Sequence, residues 1–522
     1  MQLSKSDYMM FLKHPAWLWL KKHDKKKLPP VDDSTQAMFD AGHKFEPYAE
    51  EQFPDGVQLG FDNYQEYLSL PMRTNEALRS GTKTIFQGRF EYQQLTFICD
   101  VVDVVGVKLV DLYEIKSSSS AKLDHEYDLA FQAYVLEGCG YTVRNIAVIH
   151  VNSSYVRRGD DPVTGKDLSA TTDVTEAVGK KRDYTTGQTT AALDMLQTGT
   201  CPDLSPTLAS ERGFREWLDV YKYINSPDPE SIYNLCQLNS ELLAELEAAG
   251  IANIADIPES LELRPKQALQ VETSKTNTQI ILQGKIDKFL NKLEYPLYFL
   301  DYETMASIVP HYDGLRPYQQ LPFQYSLHIL DAPGAETRHE EYLHKDDSSP
   351  CIPLSEALKS HIGTSGSVIT WNMSFEKNCN TLLGTLAPDY ADFYAQVNER
   401  VVDLMVPFTR SWYVDKGFRG SASIKNVMPV LVPELSYKNL GIQEGGAAQR
   451  MWMQTVLDGM HEQDKDQILR DLAEYCKLDT LAMVEIYRVL SGQQSNKPQK
   501  SEDVIKIKSP ASVKPVQQTL AL

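Results

Sequence analysis

The chain contains no apolar run approaching the roughly 20 residues that a membrane-spanning helix needs and no Cys-x-x-C pair. Its 522 residues include only 7 cysteines, Cys99, Cys139, Cys201, Cys236, Cys351, Cys379 and Cys476, odd in number and scattered. That spacing argues against a disulfide framework and a cysteine-based zinc site. Positive charge is also scarce: 52 Lys and Arg stand against 71 Asp and Glu, a net charge of −19. Such a chain lacks the general basic surface that phosphate backbones attract. It does not lack a route to nucleic acid, because metal-dependent nucleases concentrate carboxylates and the ions they hold reverse the local field. Lys21, Lys22, Lys25, Lys26 and Lys27 supply local positive charge. The opening "MQLSKSDYMMFLKHPAWLWLKKHDKKKLPP" has neither the charged start nor the continuous apolar stretch and cleavage site of a secretory signal. A cytoplasmic protein with no membrane partner is expected.

What is present is the composition of a soluble globular protein, 42% hydrophobic and 24% charged. The length calls for two large domains. Residues 1 to about 60 have helical apolar spacing. Between 84 and 116, "TIFQGRFEY", "LTFICDVVDVVG" and "VKLVDLYEIK" form a meander of short strands. "HEYDLAFQAYVLEGCG" returns to helix and "RNIAVIHVN" to strand, and 153–190 is a polar excursion with a helical end. Residues 210–292 read as mainly helical. Beyond 296, strands at "PLYFLDYE", "QYSLHILD" and "SVITWN" alternate with helices at 353–362, 374–385 and 465–491, a mixed-sheet pattern. The tail from 492, polar and proline-containing, is expected to be disordered.

Two constellations carry chemistry. In the meander, "DLYEIK" puts Glu114 and Lys116 on one strand face, and the preceding strand offers Asp100 and Asp103. Those two aspartates are three apart and point to opposite faces, so one of them at most joins Glu114. An acid followed on the next strand by acid-x-lysine suits metal-assisted phosphodiester hydrolysis. Hard oxygens hold Mg2+ or Mn2+, and the lysine orients water and neutralises developing charge. In the second half, "PLYFLDYETM" ends an apolar strand with Asp301 and Glu303 on a shared face. Two such carboxylates are costly together unless a cation joins them. "VITWNMSFEKN" follows, with Asn372 closing a strand and Glu376 on the next helix. "DLAEYCKLDT" then places Tyr475 and Asp479 at i and i+4 on one helical face. Each motif alone is common in an acidic chain, and their order gives them weight.

The first set resembles the PD-(D/E)XK nucleases of RecB-like type, whose acid, (D/E)-x-K and helix glutamine would here be Asp100, Glu114, Lys116 and Gln132, with Asp103 as fallback. The opening "LSKSDYMMFLKHPAWLWL" is similar to their N-terminus, with His14-Pro15 where relatives carry Cys-Pro. Only Cys201 remains of the cysteines that hold an iron–sulfur cluster in some of them, so the resemblance implies no such cluster. Any local stability that the cluster gave must then come from packing.

The second set resembles the DEDDy-type 3′→5′ exonucleases, on an RNase H-like mixed sheet. This implies Asp301, Glu303, Glu376 and Asp479 as holders of two ions and Tyr475 as the group positioning water. The second motif normally carries Asp where this chain has Glu376, and Asp403 is a spare acid.

Together the chain resembles a bacterial uncharacterised family that fuses the two domains, up to about residue 490. The implied organisation is a RecB-like restriction-endonuclease-type domain over 1–205, a helical connector over 206–292, an RNase H-like domain over 293–491 and a tail over 492–522. The implied activity is a metal-dependent nuclease, with DNA favoured over RNA. The alternative is a nucleic-acid-binding adaptor with decayed sites. Asn372 and Lys425, the latter in "GSASIKNV", are candidate nucleic-acid contacts. "LLAELEAAGIANIADIP" has partial helix–hairpin–helix character. The terminal "QQTLAL", through Gln517, Leu520 and Leu522, has the spacing of peptides that dock on bacterial sliding clamps.

Overall fold

A computed structural model describes residues 1–159 and 161–493. The clamp-like "QQTLAL" and nearly all of the expected tail lie outside the described residues. The protein is mixed α/β and divides into two compact units. The first comprises Met1–Ser226 with Ala306–Gln319, and the second comprises Pro227–Met305 with the described residues from Gln320 on. Residues 206–226, read as connector from the sequence, therefore lie in the first unit.

The first unit is built on a six-stranded sheet whose spatial order follows the sequence. Its strands are β1 (Val57–Gln58), β2 (Thr84–Phe86), β3 (Val101–Gly106), β4 (Leu109–Lys116), β5 (Thr142–Val151) and β6 (Ser169–Asp173). β2, β3 and β4 are antiparallel neighbours, whereas β4 and β5 are parallel and are joined by the helix Leu123–Gly138. A parallel pair needs such a crossover. Strand alternation then fixes what the helix meets. Val110 and Leu112 pack with its Leu129, Phe131 and Leu136, while Ile115 packs on the opposite face with Phe45, Phe86 and Ile149. Glu114 and Lys116 share the parity of Leu112 and so face the helix. A small sheet pairs Leu3–Ser4 parallel to Leu95–Ile98 in the register Leu3↔Leu95 and Ser4↔Thr96, which draws the N-terminus alongside the strand that leads to Asp100.

The segment Ala306–Gln319 belongs to this unit. Arg157 donates to the carbonyl of Pro310 (3.0 Å), Gly159 N donates to Asp313 Oδ2 (3.0 Å), and the Tyr318 hydroxyl donates to the carbonyl of Ser117.

The second unit carries a five-stranded sheet of β7 (Leu297–Met305), β8 (Leu321–Leu330), β9 (Arg338–Leu343), β10 (Ser367–Thr370) and β11 (Val401–Asp403), in the order β9-β8-β7-β10-β11. β7, β8 and β9 are antiparallel, and β10 and β11 run parallel to β7. Both faces of β7 and β8 are covered, so burial is nearly continuous along them. The helix Met373–Leu386 follows β10, and the long helix Lys465–Leu490 packs on β7 and β8. The stretch with partial helix–hairpin–helix character is one helix, Ser240–Ala248, a turn through Gly250 at φ 69°, and a single turn at Ile254–Asp256. Among the described residues no helix is long and apolar enough to cross a membrane.

Two candidate metal centres

In the first unit, Glu114 is 1% exposed at the end of β4 and is the hub of the polar groups there. Its Oε1 accepts from Lys116 Nζ (2.5 Å) and Lys5 Nζ (2.8 Å), and its Oε2 accepts from Gln132 Nε2 (2.6 Å). Gln132 Nε2 also donates to Asp128 Oδ1 (3.0 Å), and Lys116 Nζ lies 3.4 Å from Asp128 Oδ2. Asp128 and Gln132 are i and i+4 on the crossover helix and therefore present the same face to β4. Asp100 sits immediately before β3, with its Oδ2 accepting from the amide of Ile115 (2.7 Å). Asp103 instead accepts from Thr84 Oγ1 (2.6 Å), its partner across the β2–β3 ladder. The geometry brings Asp100, and not Asp103, to Glu114 and Lys116.

Electrostatics follow from this crowding. Burial pushes the Asp100 carboxyl up to about 7, and the Glu114 charge adds to the effect. Burial also pushes Glu114 up, but the Lys116 and Lys5 ammoniums outweigh it and hold Glu114 below the usual carboxylate range. For Lys116, burial is outweighed by Glu114 and Asp128, which hold the ammonium above its ordinary value. Glu46, on the helix Asp33–Glu50, is raised by burial and by Glu114. The donor set toward a cation is therefore hard carboxylate oxygen, with Gln132 Oε1 buried and unpartnered beside it. Lys5 and Asp128 were missed in the sequence. The Asp128–Gln132 spacing is a visible signal, whereas nothing local marks Lys5.

In the second unit, Asp301 and Glu303 extend from one face of β7, and Tyr302 between them turns away to donate to Asn380 Oδ1 (2.8 Å). The β7–β8 register shifts directly after Glu303, a bulge of the kind that re-aims side chains beside functional sites. Helix Lys465–Leu490 faces them with Tyr475, Cys476 and Asp479. Ligand-type atoms of Asp301, Glu303 and Cys476 all lie within 4.8 Å of one another.

Burial, with Asp479 adding, raises Asp301 well above its ordinary value, and burial with Asp301 and Asp479 does the same to Glu303. Asp479 is raised to about 6 by burial, moderated by the Tyr437 hydroxyl that donates to it and by Lys425. Glu376, in the first turn of its helix and 1% exposed, is pushed up to about 9 by burial and by Asp301, and its Oε2 has no hydrogen-bond partner. Four buried acids linked through Asp301 and Asp479, with an orphaned buried oxygen among them, fit a divalent cation of hard character. Cys476 is a poor ligand for such an ion. Burial and the surrounding carboxylates hold its thiol protonated, and Sγ merely approaches Asp301 Oδ2 at 3.8 Å.

Burial and the Asp479 and Glu303 charges keep the Tyr475 hydroxyl protonated, and its ring lies 6.0 Å from that of Tyr437. Lys425 donates to the carbonyl of Gln443 (3.1 Å) and lies 5.9 Å over the Tyr437 ring. A Cβ on Gly445 would meet Glu303 Oε2 at 3.7 Å and the Tyr475 hydroxyl at 4.0 Å, so the 437–445 loop runs close over the acids. Asn372 is exposed, in the left-handed region at φ 78°, and its amide donates to Asp403 Oδ1 (3.1 Å). That oxygen also accepts from Met405 N (2.9 Å), so Asp403 ties the ends of β10 and β11 together, although its charge still reaches Glu376. Tyr437 was missed in the sequence, being 42 residues from Asp479 in an irregular stretch.

Residues 298–423 match a family model described as a domain of unknown function, DUF2779. An uncharacterized protein of Mycoplasma genitalium is 25% identical over 221 residues, 39% of this chain and 33% of its own length. Its Mycoplasma pneumoniae homologue is 26% identical over 225 residues, 40% of this chain and 34% of its own length. The chain thus spans about a third of the length of these curated relatives. No solved structure matches it.

Proposed function

We propose that the chain is a divalent-metal-dependent nuclease acting on nucleic acid, DNA in preference to RNA, with a PD-(D/E)XK-type site in the first unit and a 3′→5′ exonuclease-type site in the second. The observation that carries this reading is the convergence of buried acids from three separate elements: Asp479 raises Asp301 and Glu303, and Asp301 raises Glu303 and Glu376. The strand order β9-β8-β7-β10-β11, with the two acids on its central strand, supports an RNase H-like sheet. Asp100, Glu114, Lys116 and Gln132, on adjoining strands and the crossover helix, support a RecB-like core.

Mg2+ or Mn2+ held by these carboxylates would supply Lewis-acid stabilisation of phosphoryl oxygens and a lowered water pKa. Within the first site, Asp100 and Glu114 would hold the ion, Gln132 fixes the Glu114 carboxylate in orientation, and Lys116 presents a charged donor toward the reacting phosphate. In the second, Asp301, Glu303, Glu376 and Asp479 would hold two ions. Tyr475, kept neutral, directs its hydroxyl proton or lone pair at an incoming water. Tyr437 holds the Asp479 carboxylate, and Lys425 brings positive charge to the mouth of the site, where it suits a phosphate. Exposed Asn372 suits a polar contact to the strand. The convergence of these groups weighs against the adaptor reading. A sliding clamp bound through the C-terminal "QQTLAL" would be a fitting partner for such an enzyme.

The test is hydrolysis of end-labelled DNA and RNA by the full chain in Mg2+, Mn2+ or EDTA, beside the double variant Glu114→Gln/Asp301→Asn. Metal-dependent cleavage lost in the double variant is the expected result. A wild-type protein inert on every substrate in both metals, yet retarding DNA in a gel, would move the assignment to the adaptor.

A further inference from the structure

Glu114 Oε1 accepts from two ammoniums at once, Lys116 at 2.5 Å and Lys5 at 2.8 Å. Two like charges on one oxygen repel each other, and they are tolerated here because Asp100 and Asp128 stand beside them. A divalent ion that takes Glu114 as a ligand adds two more positive charges at the same place, so one ammonium has to leave.

The two lysines are not equally free to do so. Lys116 projects from β4 and has a second carboxylate, Asp128 Oδ2, at 3.4 Å. Lys5 has Glu114 as its one carboxylate within ion-pair distance among the described residues. Its backbone is fixed independently of that ion pair. Ser4 and Asp7 form a reciprocal cap at the start of the helix Lys5–Lys13, and Asp7 is itself held by Lys21 (2.8 Å) and Lys22 (2.5 Å). From that anchored first turn, the four-carbon stem of Lys5 can swing without disturbing the helix.

We infer that Lys5 is an exchangeable counter-cation of the first site, resting on Glu114 Oε1 when no divalent ion is bound and passing to the substrate phosphate when one is. The inference rests on the metal-dependent reading of that site. It gives an acidic chain a way to keep Glu114 charged and oriented between turnovers, and to deliver positive charge when a polyanion arrives.

The experiment uses the full chain in an Asp301→Asn background, which weakens the second site, and reads Mn2+ affinity by electron paramagnetic resonance and calorimetry. Lys5→Met and Lys5→Gln should each bind Mn2+ roughly tenfold more tightly than the parent, because a competing charge has gone. Lys5→Arg should stay close to the parent, and so should Lys13→Met, whose lysine pairs with Glu216 instead. In DNA cleavage the neutral variants should raise KM more than they lower kcat. Unchanged or weaker Mn2+ binding in folded Lys5→Met and Lys5→Gln would overturn the inference alone. A parent protein with no Mn2+ binding that Glu114→Gln removes would overturn the metal reading of this site, and the inference with it.

Discussion

Single residues make the sharpest predictions because several of them are held in states that water would not allow. His14 is fully buried, stacked on Trp217 with ring centroids 4.1 Å apart. It accepts from the amide of Ala16 at the start of the helix Pro15–His23 and lies 3.1 Å from the carbonyl of Ser205. Cys201 packs against the same aromatic cluster. The His14 imidazole thus does a packing and capping job. His14→Ala should destabilise the first unit by about 2–4 kcal/mol, the sum of a lost cap and a cavity, measured as the midpoint of its urea transition.

The carboxylates of the second site have the opposite relation to solvent, and pH separates them from the histidines. Glu376, ordinarily 4.5, sits at about 9 in the folded chain, so the folded state keeps a proton that the unfolded state has lost. Its contribution is complete below pH 4.5 and declines as pH rises through 9. His14 and His328 are held neutral at about 4 and about 3, so their effect runs the other way and is finished above pH 6.5. Between pH 7 and 9 the histidines therefore contribute nothing, and the slope comes from the carboxylates, joined near pH 9 by the buried thiols of Cys379 and Cys476. In EDTA the second unit should lose about 2 kcal/mol or more over that window, and saturating Mg2+ should remove most of the slope. Thermal unfolding across pH with and without Mg2+ measures this, and a flat EDTA profile would refute the shared buried charge. Glu376→Gln should raise stability in EDTA and abolish the Mg2+ response of Glu376's own share.

At the scale of elements, what was legible in the sequence was whatever a single strand or helix determines by itself. The i, i+2 spacing of Asp301 and Glu303, of Glu114 and Lys116, and the i, i+4 spacing of Tyr475 and Asp479 each survive intact, because alternation and helical periodicity are local. Lys5 was illegible because it reaches Glu114 only through the pairing of Leu3 with Leu95, and Tyr437 because an irregular loop folds it onto Asp479. The partial helix–hairpin–helix failed at its second half, where "NIADIP" makes one turn before proline ends it. Elements are also pinned by groups that no motif announces. Arg400 donates to the carbonyls of Gly363 (2.8 Å), Ser365 (2.6 Å) and Gly366 (2.9 Å), closing the loop that leads into β10 and so placing Glu376. Arg400→Ala should cost about 2–3 kcal/mol. Arg400→Lys should recover little of it, since an ammonium cannot span three carbonyls as a planar fork does. Denaturant midpoints of the two variants decide the point.

At the scale of the whole molecule, the chain folds as two units, each with its own sheet and its own buried cluster of acids around the carboxyl-bearing end of a strand. The sequence located both sheets but placed the first boundary near 205 rather than 226, because the helix Phe214–Asn225 looks like connector until Trp217 is seen buried against His14. It also gave no hint that Ala306–Gln319, which continues directly from β7, belongs to the first unit.

Two sites in one chain should be separable by substitution, and the most direct measurement compares Lys116→Ala and Asp301→Ala with wild type on circular DNA and on 3′-labelled linear DNA in Mg2+ and Mn2+. The account predicts that Lys116→Ala loses cutting of circles while keeping 3′-end trimming, and that Asp301→Ala shows the reverse. If either single substitution abolishes both activities, or neither changes either one, the two-centre account is wrong.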